Sequence, residues 1–170
     1  MRRDLILRKI SKHVRGEAIL GGALLLLISF SVKCATISPY VLLHRTETLI
    51  ILPPLWIMGF FWFLAYFFLG SAGGHLLFLQ VSSSELRVSK YKGGMFYILW
   101  LVLSYVWYVL LFTCEAFLVS WIILALALCC AGVTIFSWLS LSKGCAVVLV
   151  GVFLGHLLLF LLQMAAMLSI

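Results

Sequence analysis

Charged side chains are scarce in this chain of 170 residues. Asp, Glu, Lys and Arg make up 10% of it, hydrophobic residues make up 65%, and the mean hydropathy is +1.24. A water-soluble domain of this size cannot bury so large an apolar fraction, because its surface must be largely polar. The composition therefore excludes a soluble globular protein and predicts a chain whose solvent is lipid.

Residue patterns that support catalysis or metal binding are also missing. The five cysteines show no C-x-x-C or His-paired spacing, so they are interpreted as small apolar residues of helices. There is no nucleophile–base pair, metal-ligand cluster or phosphate-binding loop, which argues against hydrolases, kinases and P-loop proteins. The sequence predicts no metal site and no required cofactor.

Long hydrophobic runs are abundant. A membrane-spanning helix needs about 20 apolar residues, and five stretches qualify, at about 18–38, 49–80, 94–113, 116–138 and 144–168. The connections between them are short. The predicted fold class is therefore all-α, an integral membrane bundle of five transmembrane helices that forms a single domain over residues 1–170. Residues 1–16 are predicted to be a basic cytoplasmic segment, and the first helix is predicted to be retained rather than cleaved as a signal peptide.

Positive charge predicts the orientation of the bundle. Ten of the twelve Lys and Arg residues precede the first span or lie between the second and third or the fourth and fifth. Because short cationic loops stay in the cytoplasm, five spans place the N-terminus in the cytoplasm and the C-terminus outside. The net charge of +7 is interpreted as a topology signal and a lipid-headgroup contact, and no nucleic acid is predicted as a partner.

Aromatic residues recur at helical spacing in the second and third predicted helices. On the second, one face holds Trp56, Gly59, Trp62 (or Phe63), Tyr66, Gly70 and Gly73. On the third, one face holds Trp100, Ser104, Trp107 and Leu111, with Tyr105 and Tyr108 beside it. Two such faces could wall a slot for a flat apolar molecule. The alternative is ordinary core packing and an interfacial aromatic belt, which periodicity alone favours.

The most specific pattern lies in PPLWIMGFFWFLAYFFLG, residues 53–70. Its P-P-x-W-x-x-G-x-x-W-x-x-x-Y-x-x-x-G resembles the second-helix signature of the TspO/MBR family, the tryptophan-rich sensory proteins and mitochondrial translocator proteins (peripheral benzodiazepine receptors). Seven positions over 18 residues coincide, and LSYVWYVLLF is similar to the family's L-N-W-x-W-x-x-x-F-F. The resemblance extends over nearly all of residues 18–168.

The resemblance implies a five-helix bundle, often a homodimer, with a pocket for porphyrins, sterols and related ligands. Porphyrin, protoporphyrin IX or a haem-like molecule, is the ligand it favours here, because the C-terminal sterol-recognition pattern is absent. The ligand-binding residues it and the aromatic faces indicate are Trp62, Tyr66, Trp56, Ser104, Trp107, Tyr108, Tyr40, Arg45 and Gln163. Ser104 stands where the family has a pocket Asn, and Arg45 is a natural partner for tetrapyrrole carboxylates.

Departures from the family pattern indicate a divergent bacterial member in the cytoplasmic membrane. RTETLIIL stands in place of the family's K-P-x-W/F, and the acidic residue of the fourth helix is absent.

The main functional hypothesis is a membrane receptor or sensor for porphyrins, with a role in tetrapyrrole transport or stress response. The alternatives are light- and oxygen-dependent porphyrin degradation and a ligand-free helical scaffold. The intramembrane His75 and His156 are expected to be neutral and bonded to neighbouring helices.

Overall fold

The computed structural model of the protein describes Gly16, residues 18–28 and residues 55–168, including all side chains in these ranges except those at 55–59, 61, 62, 112 and 166–168. The described residues form five α-helices and no strand. They are α1 (Ala18–Ile28), α2 (Leu55–Phe78), α3 (Ser84–Phe112), α4 (Phe117–Leu139) and α5 (Lys143–Leu168). The remainder of the predicted first span and residues 49–54 of the second lie outside the described residues.

Three of the described helices are long and apolar enough to cross a membrane, namely Ser84–Leu111 within α3, the whole of α4, and Lys143–Ala165 within α5. The described apolar stretches Ala18–Ile28 and Phe63–Phe78 are shorter. Large apolar side chains point outward from the long helices, with exposed fractions of 73% for Met95 and 83% for Phe136. Apolar side chains on the outside of a helix suit a lipid solvent, and the helix itself pairs its backbone N–H and C=O groups.

The third helix begins ten residues earlier than predicted, at Ser84 rather than residue 94. SSSELRVSKYK was expected to be a cytoplasmic loop, but most of it is helical, and the connection from α2 is confined to residues 79–83. The prediction was wrong because charged residues mark where a helix leaves the lipid and not where it ends. Glu85 in the first turn suits the positive end of the helix dipole. α4 and α5 lie within one residue of their predicted bounds.

Glycines bring α1 and α2 into backbone contact. A Cβ added at Gly70 would lie 2.5 Å from the Gly21 carbonyl oxygen, and one added at Gly21 would lie 2.6 Å from the Gly70 carbonyl oxygen. At the next residue, a Cβ at Gly22 would lie 2.6 Å from Ser71 Oγ. Close approach of this kind lets helices pack by dispersion in a solvent that supplies no hydrophobic drive. Gly70, part of the predicted glycine and aromatic face, therefore serves helix association.

Side-chain hydrogen bonds join α2, α3 and α4 where α2 and α4 end and α3 begins. Lys90 Nζ donates to the Leu79 carbonyl at 2.9 Å, just past the end of α2. Trp138 Nε1 donates to the Lys90 carbonyl at 3.2 Å, and a Cβ at Gly93 would overlap the Trp138 indole. We call this end of the bundle, which carries Arg87, Lys90, Lys92 and Lys143, the basic end.

A tight turn joins α3 to α4 at the opposite end, which we call the hairpin end. The Thr113 N–H donates to the Val109 carbonyl at 2.9 Å, and the Ala116 N–H donates to the Leu110 carbonyl at 3.0 Å. Glu115 is exposed and has a φ of 52°, in the left-handed region that a residue with a side chain rarely occupies. The turn lies where the sequence predicted it, and α3 and α4 consequently run antiparallel as neighbours.

The glycine contact between α1 and α2 can be tested with Gly70→Ala. The added methyl group would meet backbone atoms of α1, which cannot rotate away, so the helices must separate. We expect a loss of about 1–3 kcal/mol in the free energy of unfolding, as for overpacked sites. The measurement is thermal or denaturant unfolding of the purified protein in detergent.

Gly151→Ala is the matched control, because a Cβ there meets nothing within 4 Å. We expect its stability to be unchanged or slightly higher, since Ala is the better helix former. Equal unfolding curves for the two variants would contradict the close contact.

Candidate functional site

The predicted ligand-binding residues fall into three groups. Tyr40 and Arg45 lie outside the described residues. Trp56 and Trp62 belong to the backbone of α2, but their side chains are outside the described set. The other five lie inside the bundle, and each is 9% exposed or less: Tyr66, Ser104, Trp107, Tyr108 and Gln163.

Tyr66 of α2 faces Tyr105 of α3. Their ring centroids are 5.7 Å apart and their planes differ by 8°, so the two phenols form an offset parallel stack. Tyr108 lies one helical turn along α3 from Tyr105, on the same side of that helix. Tyr66 and Tyr108 are buried, whereas Tyr105 is half-buried and adjoins the exposed Val102 and Val106. We call Tyr66, Tyr105 and Tyr108 the tyrosine cluster, and it is open to the lipid through Tyr105.

Trp107 and Gln163 belong to a hydrogen-bond network that joins α3, α4 and α5 near the hairpin end. Trp107 Nε1 donates to Gln163 Oε1 at 3.0 Å. Gln163 Nε2 donates to Ser120 Oγ at 2.6 Å and to the Phe117 carbonyl at 3.0 Å. The Ser120 hydroxyl in turn donates to the same carbonyl at 2.8 Å. Both amide protons of Gln163 and its carbonyl oxygen are therefore engaged within the protein.

Two residues of the α3 face that carries Trp100, Ser104 and Trp107 contact α5. Trp100 lies edge-on to His156 of α5, with ring centroids 5.8 Å apart, and Trp107 is bonded to Gln163 of the same helix. Ser104 Oγ donates to the carbonyl of Trp100 in its own helix, at 2.8 Å. α2 contacts α3 at Tyr97 and Tyr105.

Tyr97 makes the second contact between α2 and α3. Its hydroxyl donates to the Leu69 carbonyl at 3.0 Å, and its ring occupies the space that a side chain at Gly73 would need. On its other side the ring lies 5.2 Å from the Trp138 indole. Tyr97 thus connects the basic end with the tyrosine cluster, and it fixes the position of α2 against α3.

His156 is buried and bonds within its own helix, which differs from the expected bond to a neighbouring helix. Its Nδ1 lies 3.0 Å from the Val152 carbonyl oxygen. Because a carbonyl can only accept, Nδ1 must carry the proton. The ring of His156 also contacts another helix, since it lies edge-on to Trp100 of α3.

Several residues that organise the site carry no signal in the sequence. Ser120 is one serine in an apolar helix, and only the fold brings it to Gln163. Tyr97 was not named in the predicted aromatic face, although its spacing from Tyr105 and Tyr108, eight and eleven residues, places all three on one side of α3. Helical spacing applied to tyrosines alone would have found this group.

The chemistry available at the tyrosine cluster is stacking and hydrogen bonding. Phenol rings offer flat apolar surfaces with a hydroxyl at the edge, which suits a flat ligand with few polar atoms. Among the described residues there is no group of three or more His, Cys, Asp or Glu that could hold a metal ion.

Comparisons of this chain with protein-family models, with curated proteins and with solved structures give no match. The likeness to the TspO/MBR signature consequently rests on the motif positions themselves. Of the five non-proline positions in that motif, the structure describes the surroundings of two: Tyr66, in the tyrosine cluster, and Gly70, against α1.

Gln163→Leu tests the hydrogen-bond network. The leucine would fill a similar volume but leave the Trp107 indole N–H without its acceptor inside an apolar bundle. We expect a loss of about 1–3 kcal/mol in the free energy of unfolding, the cost of an unsatisfied buried donor. The measurement is unfolding in detergent.

Ser104→Ala is the matched control, because its equally buried hydroxyl bonds only to its own helix and its loss leaves no donor unpaired. We expect a change of less than about 0.5 kcal/mol. If Gln163→Leu is no more destabilising than Ser104→Ala, the network does not hold the three helices together.

Proposed function

We propose that the protein is a TspO-like membrane receptor or sensor that binds porphyrins or related flat hydrophobic molecules at the tyrosine cluster. The single observation that carries the proposal is the parallel stack of Tyr66 on Tyr105. It supplies a flat, largely apolar surface between two helices, with one ring buried and the other at the lipid boundary. A porphyrin dissolved in the membrane reaches this surface without crossing water.

The binding step follows from the same geometry. Tyr105 covers Tyr66 and is half-buried beside lipid-facing valines, so rotation of its side chain uncovers the buried ring. The ligand then stacks on Tyr66 in place of Tyr105. Each aromatic stack contributes about 0.5–1.5 kcal/mol to the binding free energy beyond the burial of apolar area. In the proposed site the resemblance adds Trp62 from α2, and Arg45 to meet the ligand's carboxylates.

The proposal includes a five-span topology with a cytoplasmic N-terminus. It is supported by the charge distribution, since the described cations all lie at the basic end and the hairpin end carries Glu115. α2, with 24 residues, has the length of a span, and the apolar run that includes α1 continues in the sequence to about residue 38. On the resemblance alone, we also propose a homodimer in a bacterial cytoplasmic membrane.

A ligand-free helical scaffold is the second candidate, and one observation favours it. The aromatic face of α3 is filled by protein, because Trp100 and Trp107 pack against α5 and Ser104 and Gln163 are bonded internally. These three predicted binding residues, Ser104, Trp107 and Gln163, then serve packing. The tyrosine cluster is the part of the predicted site that this observation does not account for.

Titration with protoporphyrin IX in detergent, followed by tryptophan fluorescence quenching, tests the main proposal. We expect saturable binding that Tyr66→Ala weakens about fivefold to tenfold, because it removes a stacking surface. Trp62→Ala is expected to weaken binding as well. Tyr91→Ala is the matched control, since Tyr91 is 67% exposed at the basic end and its loss should leave the affinity unchanged.

The outcomes separate the candidates. Equal affinity for Tyr66→Ala, Trp62→Ala and the unaltered protein would contradict a site at the tyrosine cluster. Absence of both quenching and a thermal shift with any flat ligand would favour the scaffold. Loss of porphyrin absorption on illumination in air, dependent on the tryptophans, would favour porphyrin degradation.

The topology is tested by fusing alkaline phosphatase, which is active only outside the cytoplasm, at three points of the chain expressed in bacteria. Fusions after Cys114 and after Ile170 are expected to be active, because both points lie opposite the cationic segments. A fusion after Ser142 is expected to be inactive. Activity at Ser142 and inactivity at Cys114 would reverse the predicted orientation.

A further inference from the structure

The first turns of α3 extend beyond the ends of the helices that pack against them. Gly93 lies against Trp138, next to the last residue of α4, and Gly94 lies against Leu77 near the end of α2. α3 begins at Ser84, nine residues before Gly93, and at 1.5 Å per residue it projects about 14 Å past that level. We call residues 84–92 the overhang.

The overhang has the length to lie in the headgroup layer. The 29 residues of α3 make a helix about 44 Å long, close to the thickness of a bilayer including its headgroups, about 40–45 Å. α4, with 23 residues and a length of about 35 Å, is nearer to the hydrocarbon thickness of about 30 Å. When the apolar part of α3 lies in the hydrocarbon, the overhang lies among phosphates.

One face of the overhang combines cations with an exposed aromatic ring. Arg87 and Lys92 are exposed, and between them Val88 and Tyr91 have exposed fractions of 66% and 67%. Val88, Tyr91 and Lys92 follow helical spacing, and Arg87 lies one turn before Tyr91. The same face continues into Met95, which is 73% exposed on the lipid-facing side of α3.

The charges of the segment favour an anion. Within the described part of the chain the side chains of Arg87 and Lys92 are exposed, whereas the half-buried Lys90 donates to the Leu79 carbonyl. The acidic residue of the segment is Glu85, in the first turn and therefore farther out in the water. Two exposed cations flank the tyrosine, and the apolar surface begins immediately below it.

We infer that this face, formed by Arg87, Val88, Tyr91 and Lys92, binds the headgroup of an anionic phospholipid. The guanidinium and ammonium groups bind the phosphate, Tyr91 lies at the headgroup level where aromatic rings are favoured, and the acyl chains pack along Met95. The apolar surface below the cations favours a lipid over a free phosphate, since a soluble anion makes no use of it.

The inference uses only the spanning character of α3, so it stands independently of the porphyrin site, and its test contains no porphyrin. Purified protein in neutral detergent is supplied with equal mole fractions of phosphatidylglycerol or phosphatidylcholine, and the two melting temperatures are compared. We expect a higher melting temperature with phosphatidylglycerol. The double variant Arg87→Gln/Lys92→Gln is expected to lose at least half of that difference.

Lys143→Gln is the matched control, because Lys143 is an exposed cation at the same end of the bundle but lies outside this face. It is expected to retain the difference, as is the charge-preserving double variant Arg87→Lys/Lys92→Arg. Native mass spectrometry supplies a second measurement, in which the Gln double variant retains fewer bound phosphatidylglycerol molecules than the unaltered protein.

Three results would overturn the inference. The first is full retention of the phosphatidylglycerol effect by the Gln double variant. The second is an equal loss in Lys143→Gln, which would show a general charge effect. The third is equal protection by soluble sn-glycerol 3-phosphate, which would indicate an anion site with no lipid requirement.

Discussion

The structure depends on hydrogen bonds that buried polar side chains make near the two ends of α3. Two indole donors have acceptors there: Trp138 reaches the Lys90 carbonyl at the basic end, and Trp107 reaches Gln163 near the hairpin end. An N–H group without an acceptor is costly in lipid, because no water is present to bond it. These contacts therefore specify which helices are neighbours and how far each is shifted along its own axis. The apolar contacts of Leu and Val residues, by contrast, resemble those that lipid chains offer equally well.

This requirement limits what the interior can bind. Gln163 uses both amide protons and its oxygen within the protein. A ligand that accepted the Trp107 N–H would break the bond to Gln163, and Gln163 and Ser120 would have to rearrange. Tyr66 and Tyr105, by contrast, meet through their ring faces, and a flat ligand would compete for that surface. Tyr105 and Trp107 lie on opposite sides of α3.

The sequence predicted the positions of α4 and α5 but did not predict which helices pack against each other. Hydropathy located α4 and α5 to within one residue, because an apolar run long enough to span has few other structures open to it. The same reasoning misplaced the start of α3 at Ser84, since hydropathy reports lipid contact and not backbone geometry. Helical spacing put Trp107 on an inward face, but which helix lies opposite is a property of the whole bundle. Ser120 became part of the site only through that packing.

The Trp107–Gln163 bond also has a consequence for synthesis of the chain. The two residues are 56 positions apart, and the polypeptide is made from the N-terminus at roughly 5–20 residues per second. For roughly 3–11 seconds, α3 is therefore complete while the acceptor of its indole has not yet been made. Until Gln163 is made, the Trp107 indole therefore lacks the acceptor that it has in the folded bundle. The final packing of α3 consequently depends on the arrival of α5, a helix that is not its neighbour in the sequence.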